Sequence, residues 1–462
     1  MTTRIAVVGA GFSGVAVAVQ LLKTLRDPAT VYLLNRNARF ARGMAYGTRS
    51  ASHLLNVPAG RMGIDAADEG GFLRFLREQG IAATGSDFVP RKFFGDYLEH
   101  ELERAQHEAR PGVLLKLVST QVTRLEEAAD GVRLTSDDGW TLVASDVVLA
   151  FGNFPPQPPT SHDIWNLPVA INDPWAAQAL QGIPRDARVL LVGTGLTAVD
   201  VLLSLADRGH AGPITLLSRR GKLPQPHRLQ HAPPLARPVA VPPGRLSPLQ
   251  LLRRVRKGIA EAAQSGCDWR DVIAGLRADT PAIWERLDEA GRRQFLRHLQ
   301  PFWDTHRHRT APQTDERLRG LFASPQVNVV AGRIGALSAG DATVQAAWRP
   351  RGAGNVVHAE FDRVINCTGP SMDLRRVADG LMDSLRGQHA VRVDPMGLGL
   401  GVGEGYRLRK ADGSLHARVR YVGPLLKAQW WEATAVPELR VHAAALAQAL
   451  VRERVRGDAV PA

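Results

Sequence analysis

The chain has 462 residues, is 44% hydrophobic and 22% charged, carries a net charge of +13 and contains two cysteines. That length exceeds one ordinary core, so two or three domains are expected. Cys267 and Cys367 lie far apart, which excludes a disulfide framework or a CxxC-type redox centre and suits a reducing cytoplasm.

The opening run IAVVGAG is too short for a signal core. No apolar run approaches the roughly 20 residues of a membrane helix. The positive surplus falls largely between Arg219 and Arg319, where twenty Lys and Arg face ten Asp and Glu. These cations are scattered through helical, Trp- and Leu-bearing sequence. A solvated surface, or a field that attracts anionic cofactor and substrate, is therefore expected over a nucleic-acid site.

The first element is RIAVVGAGFSGVAVAVQLL, Arg4 to Leu22. Ile5 to Val8 reads as a buried parallel strand, and a helix follows from about Ser13. Gly9, Gly11 and Gly14 between them form GxGxxG. The first glycine makes the turn, the second lets the backbone approach a pyrophosphate, and the third lets helix and strand pack closely. The strand TVYLLN ends at Asn35, where an acidic residue usually meets a ribose. Asn35 can still hydrogen-bond a ribose, and Arg39 and Arg42 offer phosphate contacts.

The stretch Arg42 to Gly63, RGMAYGTRSASHLLNVPAGRMG, contains no cysteine. A flavin bound near it has no disulfide to reduce. Leu54, Leu55, Val57, Pro58 and Met62 instead suit a dry wall beside an isoalloxazine ring, so oxygen is the favoured electron acceptor. The same residues would also pack against FAD in any flavoprotein.

The second nucleotide unit is RVLLVGTGLTAVDVLLSLADRG, Arg188 to Gly209, then PITLLSRRG. Val189 to Val192 reads as a strand, Gly193, Gly195 and Ala198 as GxGxxA, and Thr197 falls at the start of the helix. Ser218, Arg219 and Arg220 stand where an acidic residue would bind a 2′-hydroxyl. Guanidinium groups suit a 2′-phosphate, which favours NADPH over NADH. Two short strands, DVVLAFGN with Gly152 and DRVINCTGP with Gly369, fit the linking strands of a two-dinucleotide flavoprotein.

Leu249 to Phe322 carries apolar residues at three- and four-residue spacing and reads as a helical insertion. Arg293 and Arg297 lie four apart on one helix face, with His306 and His308 following. They are candidates for a substrate clamp or proton handling. Interdomain hydrogen bonding and NADPH contact remain open for the histidines, and metal ligation is the least favoured. Near the C-terminus Tyr421 and Val422 end a strand and Gly423 turns. A helix begins near Thr434 to Val436 with Pro437 just inside, and its positive end would face the flavin.

The expected fold is thus α/β, with two Rossmann-like dinucleotide-binding domains and a helical insertion. Residues 1–165 form the first part of the FAD domain, up to the proline-rich PPQPPTSHD. Residues 166–240 form the NADPH domain, 241–325 the insertion, 326–355 its return strands and 356–462 the second part of the FAD domain. The proline- and arginine-rich QPHRLQHAPPLARPVAVPPGRLSP reads as an ordered or semi-ordered connection.

RGMAYGT, HLLNVPAGRMG, VPRKFFGDYL, SRRG, WDTHRHR and AVPELR together resemble a bacterial FAD/NAD(P)-binding (YdhS-like) protein family, over nearly the whole length. That family is related to the flavin-dependent N-hydroxylating monooxygenases, and a few relatives resemble aspartate N-monooxygenases. The resemblance implies FAD, NADPH and molecular oxygen. It implies Gly9, Gly11, Gly14, His53, Asn56, Val57 and Met62 near FAD, and Gly193, Gly195, Arg219 and Arg220 near NADPH. The activity it implies is hydroxylation of a small amino acid's amine through a flavin C4a-hydroperoxide, in a possible homo-oligomer. The rival readings are a flavin reductase or oxidase, a nucleotide-binding redox sensor and an RNA-modifying flavoprotein.

Overall fold

The computed structural model describes residues 3–160, 163–229, 234–236, 238–241 and 243–457. Part of each expected linker, 161–162 in one and 230–233, 237 and 242 in the other, lies outside the described residues. The chain forms two compact units. One comprises Met1–Arg49, Val57–Asn153 and Met372–Ala462. The other comprises Ser50–Asn56 and Phe154–Ser371.

The first unit is built on a six-stranded sheet. Its order is Arg407–Arg409, Leu415–Tyr421, Asp146–Leu149, Thr3–Val8, Ala29–Asn35, Val113–Ser119. All neighbours except the first pair are parallel. Ile5 to Val8 are buried on both faces, as a central parallel strand requires. Helix Phe12–Thr24 is buried from Phe12 to Leu22 and packs against helices Arg91–His107 and Val436–Gly457. A smaller antiparallel sheet comprises Val122–Ala128, Gly131–Ser136 and Thr141–Ala144.

The second unit repeats the plan. Its seven strands run Val357–Phe361, Val344–Pro350, Val327–Ala339, Ile214–Ser218, Val189–Val192, Arg363–Asn366, Ala170–Ile171. The last five are parallel and the first two add an antiparallel edge. Helix Leu196–Asp207 covers the sheet with Val199, Val201, Leu202 and Leu205 in one apolar core. The helical insertion spans helices from Pro248–Gln264 to Pro312–Phe322.

The unit boundaries fall elsewhere than the domain limits read from the sequence. Arg363–Asn366 pairs with Val189–Val192 and with Ala170–Ile171, and Val364 and Ile365 are fully buried there. Residues 356–371 therefore belong to the second unit, and the return to the first comes at Met372. The crossing out of the first unit comes at Asn153, ahead of the proline-rich turn.

Candidate active site

Each parallel sheet places a glycine loop at the C-terminal end of a central strand. Helix Phe12–Thr24 follows extended Gly11, and helix Leu196–Asp207 follows extended Gly195. Neither helix has a side-chain cap or an acidic residue in its first turn. Their first N–H groups and the positive dipole ends are left for an anion. Gly14 is a steric necessity: a Cβ there would stand 1.8 Å from the Gly9 carbonyl oxygen. Ser13 is buried inside the same helix.

At the end of Ala29–Asn35, the Asn35 amide nitrogen donates to Asn37 O, Asn37 Oδ1 and Arg39 O, all at 3.0 Å. The side chain thus organises its own turn, and its oxygen is the atom left for a ribose hydroxyl. Arg42 does not match its expected phosphate role. Its Nε donates to Glu99 at 2.6 Å, and its Nη2 donates to Glu99 at 2.7 Å and Asp96 at 2.6 Å. Those carboxylates raise its already high pKa further and neutralise its charge.

The stretch from His53 to Met62 divides between the units. His53 is buried in the second unit, where its Nε2 lies 2.8 Å from Ser204 Oγ and 3.1 Å from the Asp200 carbonyl. Both partners belong to the helix of the second glycine loop. The Asn56 carbonyl accepts a bond from His227 Nε2 at 3.1 Å. Val57 and buried Met62 belong to the first unit. There Arg440 Nη1 donates to the carbonyls of Arg61 and Gly63 at 3.1 Å, and Arg440 also pairs with Glu69. Leu55 and Met62 are both buried, in different units.

Gly152 follows strand Asp146–Leu149 in the first unit, as Gly369 follows Arg363–Asn366 in the second. The Tyr421 hydroxyl donates to Phe151 O at 3.2 Å and accepts from Leu425 N at 3.2 Å, so it braces the Gly423 turn. Thr434 lies two residues before helix Val436–Gly457, whose first turn holds Pro437 and Glu438. Glu438 is an acidic residue at the positive end of that helix and offsets part of its dipole.

In the second unit a cavity of about 910 Å³ opens at the glycine loop. It is lined by Gly193, Gly195, Thr197, Ser218, Arg219 and Gly369, with Asp304, His308 and Arg333 also on its wall. Ser218 Oγ lies 2.9 Å from Thr194 Oγ1 and accepts from Gly221 N at 3.0 Å, which fixes the SRRG turn. Arg219 is exposed on the cavity. Arg220 is occupied elsewhere: its Nη2 donates to Arg297 O at 3.0 Å and its guanidinium sits 5.2 Å from the Phe302 ring centroid. Arg333 was not legible as a site residue. It reaches the cavity because Val327–Ala339 pairs with Ile214–Ser218 in register Ser218 to Ala331.

The four expected clamp residues do not converge. Arg293 and Arg297 share a second cavity of about 680 Å³, and Arg293 is held by Glu289 at 2.5 Å. His308 lines the nucleotide cavity, 3.9 Å from Asp304. His306 Nδ1 lies 2.7 Å from the Phe302 carbonyl, and its ring meets Trp269 edge-on at 4.9 Å. No group of three or more His, Cys, Asp or Glu among the described residues is arranged to hold a metal. No helix among them is long and apolar enough to cross a membrane.

Residues 6–154 match the model of a FAD-NAD(P)-binding family. No curated protein matches the chain. Solved structures share its fold over nearly its whole length. The ornithine hydroxylase PvdA from Pseudomonas aeruginosa has a TM-score of 0.64 at 17% identity, covering 98% of this chain and 100% of its own. The ornithine N-hydroxylase KtzI of Kutzneria sp. 744, solved with reduced FAD, NADP+ and L-ornithine, has 0.64 at 16% identity over 98% and 100%. L-lysine 6-monooxygenase from Pseudomonas syringae has 0.64 at 16% identity, covering 99% of each chain. The fold is therefore a two-unit α/β fold with parallel sheets, shared over nearly the whole chain with these hydroxylases.

Proposed function

We propose that the chain is an FAD- and NADPH-dependent monooxygenase that N-hydroxylates the amine of a small amino acid or related carboxylate. The observation that carries the reading is the pair of uncapped glycine-loop helices in separate units, within a fold shared end to end with ornithine and lysine hydroxylases. Bound FAD would supply hydride acceptance from NADPH and activation of oxygen.

The residues present fit both cofactors. In the first unit Gly9, Gly11 and Gly14 let backbone N–H groups meet a pyrophosphate, and Asn35 offers its carbonyl oxygen to a ribose. In the second unit Thr197 and the Gly195 turn present the same kind of anion site. Arg219 and Arg333 on the cavity wall suit a 2′-phosphate, and no carboxylate ends strand Ile214–Ser218 to repel it. Cys367 is buried, and burial pushes its thiol well above the usual range, so it stays protonated and unreactive. The chain's own contribution is to hold the nucleotides, orient the amine and exclude water.

The test is to reduce the FAD-loaded protein with NADPH without oxygen, then admit oxygen with and without candidate amines, starting with aspartate, ornithine and lysine. The expected outcome is a hydroxylamine formed in proportion to NADPH consumed. Peroxide equal to the NADPH consumed, whatever amine is present, would replace this reading with that of a reductase or oxidase.

A further inference from the structure

Within the second unit, Gln225 to His227 is clasped to Thr305 to Thr310. Gln225 N donates to Thr305 O at 2.9 Å, His227 N to Thr310 O at 2.9 Å, and Thr310 N to Gln225 O at 3.0 Å. The clasp gathers guanidinium groups around the Trp269 ring. Arg270 lies 4.4 Å and Arg309 6.0 Å from the ring centroid. The nearby carboxylates are taken: Asp268 accepts from Arg270 at 3.1 and 3.2 Å, and Asp271 pairs with Arg228.

Arg309 is left over. It is only 8% exposed, and its Nε is buried without a hydrogen-bond partner among the described residues. The adjacent Thr310 is 2% exposed, and its Oγ1 is likewise buried without a partner. Burial, then Arg307 and Arg270, push the Arg309 pKa down to about 10, so its charge is held against resistance. His227 provides no counter-charge. Burial, then Arg309, lower its pKa to about 3, so it is neutral and bonded to the Asn56 carbonyl. A buried guanidinium with unmade hydrogen bonds is strongly destabilising unless an anion completes it.

We propose that Arg309, with the Thr310 hydroxyl and the Trp269 face beside it, binds the carboxylate of a small-molecule ligand. Charge-assisted bonds from the guanidinium to the carboxylate would satisfy the orphaned Arg309 Nε, and the Thr310 hydroxyl is a second unpartnered donor on the next residue. His308 lines the nucleotide cavity and Arg309 does not, which favours a ligand other than the nucleotide's phosphates. Naming that ligand as the substrate rests on the monooxygenase reading, whereas the anion site itself does not.

The experiment titrates the FAD-loaded chain calorimetrically with succinate at constant ionic strength, with NADP+ in parallel, for the wild type and Arg309→Met. The wild type is expected to bind succinate saturably and the variant roughly tenfold or more weakly. NADP+ affinity should stay within about twofold in both. Without succinate, Arg309→Met should melt at or above the wild-type temperature, because an uncompensated buried charge is gone. Arg309→Lys, which keeps the charge but not the forked donors, should bind between the two.

No succinate binding by the wild type, or equal binding by the methionine variant, overturns the proposal. So does a variant that melts lower, which makes Arg309 structural, or one that loses NADP+ instead, which assigns it to nucleotide phosphates. Failure of NADP+ to bind the wild type would sink the cofactor reading while leaving the succinate result to stand alone.

Discussion

The two glycine loops occupy the same place in their sheets and differ at the third loop position and at the end of the neighbouring strand. Gly9 N donates to Leu34 O and Gly193 N to Leu217 O, both at 2.8 Å. Ala150 N reaches Val8 O at 2.8 Å, as Cys367 N reaches Val192 O at 2.9 Å. The backbone frame is thus common to both, set by parallel neighbours on each side of a central strand. The third loop position is not common. A methyl at Gly14 would collide with the Gly9 carbonyl, whereas Ala198 carries one and is fully buried. The strand ends differ as well, with the self-bonded Asn35 turn on one side and Arg219 facing a cavity on the other. The common frame leaves a helix end open in both loops, and the two loops part at these two points.

The largest effect should come from giving the first loop the alanine of the second. Gly14→Ala is expected to lower stability by about 3 kcal/mol or more and to strip FAD, because the 1.8 Å contact is with backbone. Flavin content after purification and urea unfolding would check both effects. Retained flavin with an unchanged midpoint would mean that the loops are less different than their geometry implies. Arg219→Ala should come next, weakening NADPH by roughly tenfold to a hundredfold while leaving NADH alone. Arg220→Ala should change selectivity little, since that guanidinium is committed to Phe302 and Arg297 O. Kinetic constants with both coenzymes would separate the two arginines.

A second contrast lies in the buried histidines. Burial, aided by Arg309, lowers His227 in the second unit to about 3, and burial lowers His442 in the first to about 4. Each folded pKa lies below the unfolded value of about 6.5, so the unfolded chain binds the proton first. The stability each neutral histidine supports is whole above pH ~6.5 and declines by up to about 1.4 kcal/mol per pH unit as acid is added. The decline from His227 runs to about pH 3 and that from His442 stops near pH 4. His227→Gln should flatten the acid limb of a melting-temperature profile more than His442→Gln does. An equal response would mean that the Arg309 charge does not reach His227.

What was legible in the sequence was whatever repeats locally. Strand Val189–Val192 and the helix starts beside both glycine loops follow from runs of buried aliphatics and glycine spacing. The insertion's helices followed from their period, and Pro437 marked the last helix. What depends on distant partners was not legible. Arg42 read as a phosphate ligand because Asp96 and Glu99 approach only when helix Arg91–His107 packs. The bond of His53 to Ser204 was silent because its partner lies 151 residues away on another helix. Arg333 was silent because parallel pairing across the whole insertion brings it to the cavity. Arg293 and Arg297 were correctly placed on one helix face, yet that face opens on a different cavity from His308.

The smallest predicted effect is the reverse exchange, Ala198→Gly. Ala198 is the third residue of its helix and is fully buried, so its methyl contributes packing and restricts the unfolded backbone. Removing it should cost about 1 kcal/mol, since glycine is that much poorer than alanine inside a helix. No atom of the cavity wall is lost, because Gly193, Gly195 and Thr197 keep their backbone. NADPH affinity should therefore hold while the melting temperature falls by a few degrees. Tighter NADPH binding in this variant would mean that the Ala198 methyl holds the pyrophosphate off the helix end. The second loop would then have traded affinity for packing, and the difference between the loops would lie in strength of binding as well as in choice of nucleotide.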